Sequence, residues 1–231
     1  GLNISFYFLP EYWPYFRNGV FCTLLLAFFT VLLAILPAVG LALMRLSKSK
    51  ALNFIASAFI EIIRGTPMLV QISIIYYGLF GGVRLPNTEI FGVVQFSMFL
   101  PCIIALAINS SAYVAEVFRA GILAVDRGQT EAARSLGMTS SQCMRMIVLP
   151  QAVKNILPAL GNEFVTLIKE SSICSTIGVT ELMFGANLTR GATYQVMGPL
   201  ILAAGLYFCM TFPASKLLGY LERRMRRGDV R

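Results

Sequence analysis

Long apolar stretches separated by short polar ones dominate the chain, and the longest, residues 20–44, carries no charge at all. A helix rises about 1.5 Å per residue, so roughly 20 apolar residues cross the hydrocarbon core of a bilayer, where a helix satisfies its own backbone polar groups. By that length test the pattern predicts five crossings, near residues 19–46, 68–82, 94–114, 156–178 and 196–218. The second is short, and the fourth carries Glu163, Lys169 and Glu170. The first is longer than a signal-peptide core, and its basic cluster, Arg45, Lys48 and Lys50, follows it instead of preceding it.

The segments between the crossings carry their own signals. Residues 6–16 crowd seven aromatic rings, Phe6, Tyr7, Phe8, Tyr12, Trp13, Tyr15 and Phe16, around two prolines, which marks residues 1–18 as an amphipathic outer-interface segment. Arg64-Gly65-Thr66-Pro67 breaks an apolar helical stretch, and turns are expected at residues 81–87 and 187–191. In the polar stretch 116–154, Asp126 to Thr130 makes a break with Thr130 as N-cap. A short helix over 131–136 then stops at Gly137, and a second starts at the Thr139-Ser140-Ser141 cap and runs towards Pro150.

Composition excludes several classes. With 57% hydrophobic and 13% charged residues the chain is too apolar for an ordinary soluble surface. The net charge of +8 follows the positive-inside rule: with five crossings only Arg17, Arg84 and Arg190 of the 19 basic residues fall outside and Lys169 falls within the membrane. That arrangement puts the N-terminus outside and the basic tail, residues 222–231, in the cytoplasm beside anionic head groups, so the charge reports topology and membrane lipids rather than nucleic acid. There is no histidine, and the five cysteines are scattered one per region without a CxxC pair. Zinc ligation, His-based catalysis and a disulfide framework therefore lack their raw material, and the cysteines read as small apolar packing residues.

In the cytoplasmic loop, Glu131-Ala132-Ala133 is followed by Gly137, then by Ile147 and Leu149-Pro150. This spacing resembles the signature of the inner-membrane permease subunits of bacterial ABC importers. The likeness extends to the polar amino acid uptake branch through Glu61 to Pro67, Ala112 to Glu116, Leu149 to Ala152, Lys169-Glu170-Ser171-Ser172 and Leu221 to Arg224. It implies an all-α integral membrane protein of about five helices with the type I importer fold, in the bacterial inner membrane. The permease domain would span residues 19–221, including a coupling loop at 116–154.

The resemblance also implies a mechanism. Glu131, Ala132, Ala133, Arg134 and Gly137 would form a coupling helix seated in an ATP-binding subunit, one of a pair that holds ATP and Mg. The chain itself, with no GxxxxGK[ST] loop, is expected to be non-catalytic and to hold no cofactor. An extracytoplasmic substrate-binding protein is a further implied partner. Five helices are too few to enclose a pathway, so a second permease copy or a paralogue is expected.

Ionisable residues at membrane depth usually face a cavity or a partner. Asn109, Ser110, Ser111 and Tyr113 in the third crossing and Asn162 and Glu163 in the fourth are candidates to hold an amino acid's ammonium and carboxylate groups, Glu163 favouring a basic one; helix–helix hydrogen bonding is the structural alternative. Lys169 and Glu170, as sequence neighbours, do not face each other on a helix, so each is expected to find an ion-pair partner elsewhere. A secondary transporter working without ATP would predict inverted repeats, and none is evident.

Overall fold

The computed structural model describes residues 4–226; the expectations for Arg227, Arg231 and the first three residues lie outside the described residues. Helix α1 (Leu9–Leu46) buries Phe16, Gly19, Thr23, Leu26, Ala27, Thr30, Ala34, Ala38 and Ala42, a stripe repeating every three or four residues. The small side chains on that stripe let α4 (Phe96–Leu123) pack along it. The opposite face of α1 leaves Phe28, Leu32, Leu36 and Leu43 exposed, an apolar surface suited to lipid.

The chain breaks where Gly and Pro predicted. α2 (Lys50–Gly65) ends in extended backbone at Thr66 and Pro67, and α3 (Met68–Ser73), continued by a π turn over Ile74–Leu79, leaves at a bend of 104°. Residue 66 cannot stay helical before the proline ring, and Pro67 has no N–H to continue the ladder. The segment 68–82 thus follows a sharp bend, the geometry of a broken span or a re-entrant loop.

A two-stranded hairpin, β1 (Glu89–Ile90) and β2 (Val94–Gln95), then leads into α4, which extends past the expected end at 114 to Leu123. Phe91 and Gly92 both take positive φ, as a tight hairpin turn demands.

α7 (Leu149–Glu170) starts earlier and stops sooner than the predicted crossing 156–178. It gives way to a 3₁₀ segment (Ser171–Ile177) and to Gly178 at φ +91. A short helix, α8 (Leu182–Thr193), follows, so the turn expected at 187–191 is helical. α9 (Met197–Arg226) closes the fold.

By length and composition α1, α4 and α9 can cross a membrane, and the α2–α3 pair makes up to four spans. The 22 residues of α7 rise about 33 Å, enough for a crossing, but carry Lys154, Glu163, Lys169 and Glu170. Lys169 and Glu170 are exposed, and neither forms the expected ion pair among the described residues.

The helices sort into two polar ends. At one, Gly19 of α1 meets the backbone of Leu182, and the Thr180 hydroxyl donates to the Val93 carbonyl (2.6 Å). At the other, Glu116 of α4 pairs with Arg119 (3.0 Å) and Arg45 of α1 (3.5 Å), whose guanidinium also donates to Ser57 of α2. Between them, Cys102 of α4 and Cys174 of the 3₁₀ segment are joined as a disulfide, both fully buried, which corrects the reading of all five cysteines as free packing residues. Residues 72 apart in sequence carry no local signal of pairing. Cys22 and Cys143 are buried and free, as expected.

Candidate functional site

The polar stretch after α4 folds into a small body with its own core. α5 (Arg127–Ser135) is capped by Asp126, whose carboxylate accepts from the Gly128 N–H (2.6 Å), so its start lies before the expected Thr130 cap. The helix stops at Gly137, in the left-handed region at φ +86, where the Met138 N–H reaches back to the Ala133 carbonyl (3.2 Å). The Arg134 guanidinium ties the turn by donating to the Met138 carbonyl (2.8 Å).

Thr139 and Gln142 then form a reciprocal capping box at the start of α6 (Ser140–Cys143). α6 does not end at Pro150: a π turn over Met144–Val148 joins it to α7, whose first turn accommodates the proline because its missing N–H is not needed there.

Ala133, Cys143, Val148 and Ala152 close into one cluster with Val125 beyond the end of α4. Ala133 is thus a core residue, while Glu131, Ala132 and Arg134 are exposed and Leu136 is 86% exposed. The body presents a face of mixed charge and apolar side chains outward and is anchored by the other. The same cluster ties α5 to the first turn of α7 through packed side chains.

The second candidate set divides among three faces of α4, because successive helical residues point about 100° apart. Ser110 donates to the Glu163 carboxylate of α7 (2.7 Å). The Asn109 amide donates to the Gln71 side-chain oxygen of α3 (2.9 Å). Ser111 turns back to the Ile108 carbonyl (2.7 Å), and Tyr113 lies under the Arg64 guanidinium, 5.3 Å from its ring centroid. Asn162 is exposed on α7. The fold therefore brings Ser110 and Glu163 together, links Asn109 to the α2–α3 bend, and leaves Asn162 apart.

Two polar centres escaped the sequence reading. Gln71 secures the bend: its amide donates to the carbonyls of Ile63 (2.8 Å) and Thr66 (3.1 Å) and to the Thr66 hydroxyl (2.7 Å), while its oxygen accepts from Asn109. Two of those acceptors belong to the end of α2, where helix carbonyls lack internal partners. Glu181, fully buried, caps α8 by accepting from the N–H groups of Met183 (2.9 Å) and Phe184 (2.7 Å), and accepts the Tyr207 hydroxyl of α9 (2.9 Å). The adjacent Leu182 N–H donates to Thr23 of α1 (3.2 Å). An acidic residue one position before an apolar run was the available signal for the cap.

Residues 30–227 match the family of binding-protein-dependent transport system inner membrane components. The chain belongs to that family. It is 38% identical over 223 residues to a putative glutamine transport system permease protein of Rickettsia conorii, covering 95% of this chain and 98% of the relative. It is 34% identical over 228 residues to the arginine transport system permease protein of Bacillus subtilis, covering 99% of this chain and all of the relative.

Among solved structures, a chain of an amino acid ABC transporter crystallised with histidines superposes with a TM-score of 0.86 at 48% identity, covering 96% of this permease and 99% of that chain. A chain of the MetNI methionine ABC transporter shares the fold, with a TM-score of 0.76 at 18% identity and coverage of 94% and 98%. The permease is a multi-pass inner membrane component, and its family places it beside an ATPase and a substrate-binding protein.

Proposed function

We propose that this permease forms the membrane pathway of an ATP-driven importer of polar amino acids and receives the force of ATP hydrolysis through α5. The observation that carries the reading is the packed core beneath α5: it leaves Glu131, Ala132 and Leu136 outward for a partner while fixing the helix to α4 and α7. α7 serves as a further span, so that the N-terminus lies outside and the α5 body and the end of α9 lie in the cytoplasm. A second permease copy or a paralogue completes the pathway, and the ATP-binding subunits hold ATP and Mg.

Substrate selection centres on Glu163 and Ser110, where a carboxylate in a low-dielectric site favours a basic amino acid. Glutamine and arginine permeases among the relatives support the polar amino acid class. In the reconstituted importer, Glu163→Gln is expected to depress uptake of labelled arginine more than that of labelled glutamine. Unchanged arginine uptake removes Glu163 from the pathway.

A further inference from the structure

Where α7 and α9 diverge near the end of α9, they leave an open groove of about 410 Å³ lined by Leu157, Pro158, Leu218, Leu221, Arg224 and Met225. Five of the six lining side chains are apolar, and the charge belongs to the last turn of α9. Nearby, Arg226 is already neutralised by Glu222 at 2.9 Å, whereas no ion pair among the described residues involves Arg223 or Arg224. Among the described residues, the groove thus combines an apolar trough, running between two helices, with positive charge at its mouth that no ion pair offsets.

We propose that this groove is a binding site for one anionic glycerophospholipid, with an acyl chain along Leu157, Leu218 and Leu221 and the phosphate on Arg224, supported by Arg223. Charge complementarity selects this occupant. A neutral helix of a partner protein would fill the trough but leave the guanidinium unmatched at the boundary of the hydrocarbon, where a cation seeks an anionic head group. A zwitterionic lipid offers the same chain with an ammonium that offsets the phosphate.

The placement carries a consequence. Leu157 and Pro158 lie on the first half of α7, downstream of the π turn that joins it to the α5–α6 body, so the lipid sits beside the helix through which α5 is anchored. Assignment of the groove to the cytoplasmic leaflet rests on the orientation proposed above; the binding chemistry does not.

The test is native mass spectrometry of the detergent-purified importer complex containing this chain, titrated with phosphatidylglycerol or phosphatidylcholine of identical acyl chains. The site predicts that phosphatidylglycerol is retained at least about tenfold better, that Arg224→Gln removes most of that preference, and that Leu221→Trp lowers retention of both lipids. Arg226→Gln, at a side chain already paired with Glu222, is expected to leave the preference in place.

Equal retention of the two lipids overturns the proposal, as does a preference untouched by Arg224→Gln. Disulfide capture of a second copy through Leu221→Cys would assign the trough to a protein interface and overturn it as well. Thiol labelling of Arg223→Cys in sealed vesicles reports the orientation separately, so a failed lipid site and a failed topology give different results.

Discussion

Removing the Glu181 carboxylate probes whether α1, α8 and α9 are held by a shared polar centre. In Glu181→Ala, α8 loses its N-terminal cap, worth about 1 kcal/mol. The Tyr207 hydroxyl loses its acceptor, at a cost of about 1–3 kcal/mol if nothing replaces it. These two contributions sum to about 2–4 kcal/mol, and the space left in a fully buried site adds to that. Tyr207→Phe alone leaves the carboxylate its two backbone donors and is expected to cost about 1 kcal/mol.

The double variant should cost less than the two singles together, because Tyr207→Phe removes the hydroxyl that Glu181→Ala would otherwise strand. Measured side-chain hydrogen bonds between membrane helices reach about 1.7 kcal/mol and average about 0.6, which sets the coupling to look for. The assay is denaturant-induced unfolding of the purified complex in detergent, followed for all four members of the cycle. Additivity within about 0.5 kcal/mol, together with a Glu181→Ala loss below about 0.5 kcal/mol, would refute the account of Glu181 as the centre of this junction.

Two other perturbations isolate single elements. Gly137→Ala meets no atom within 4 Å but forces a Cβ into the left-handed region, costing about 1–2 kcal/mol locally; paired measurements of ATP hydrolysis and uptake in the reconstituted importer should show uptake falling more than hydrolysis. Gln71→Leu strands the Asn109 amide and removes the donor shared by Ile63 and Thr66, so the complex should unfold about 1–3 kcal/mol more easily in detergent, whereas an unchanged midpoint would mean the bend is held by Pro67 alone.

Local signals were legible where the physics is local. Gly65 and Pro67 end one helix through backbone sterics alone, and Gly137 ends α5 because only glycine adopts that φ without strain. The Thr139 box was readable for the same reason, since donor and acceptor are three residues apart. The α8 helix was missed because its 12 residues are mixed in polarity and its cap, Glu181, looks like any charged residue until Tyr207 arrives from α9. The α5 cap falls on Asp126 rather than Thr130; both are good capping residues, and sequence does not say which one leaves the helix first.

The sequence by itself determined that this chain is a membrane protein and where its Glu131 to Pro150 motif lies, because hydrophobic length, charge bias and spacing are properties of a linear chain. Tertiary structure decided who meets whom. It turned Ala133 inward and Ala132 outward, gave Ser110 to Glu163 and Asn109 to Gln71, and joined Cys102 to Cys174. Each of those choices depends on how helices far apart in sequence are rotated and packed against one another, and that rotation is set by the whole bundle rather than by any one segment.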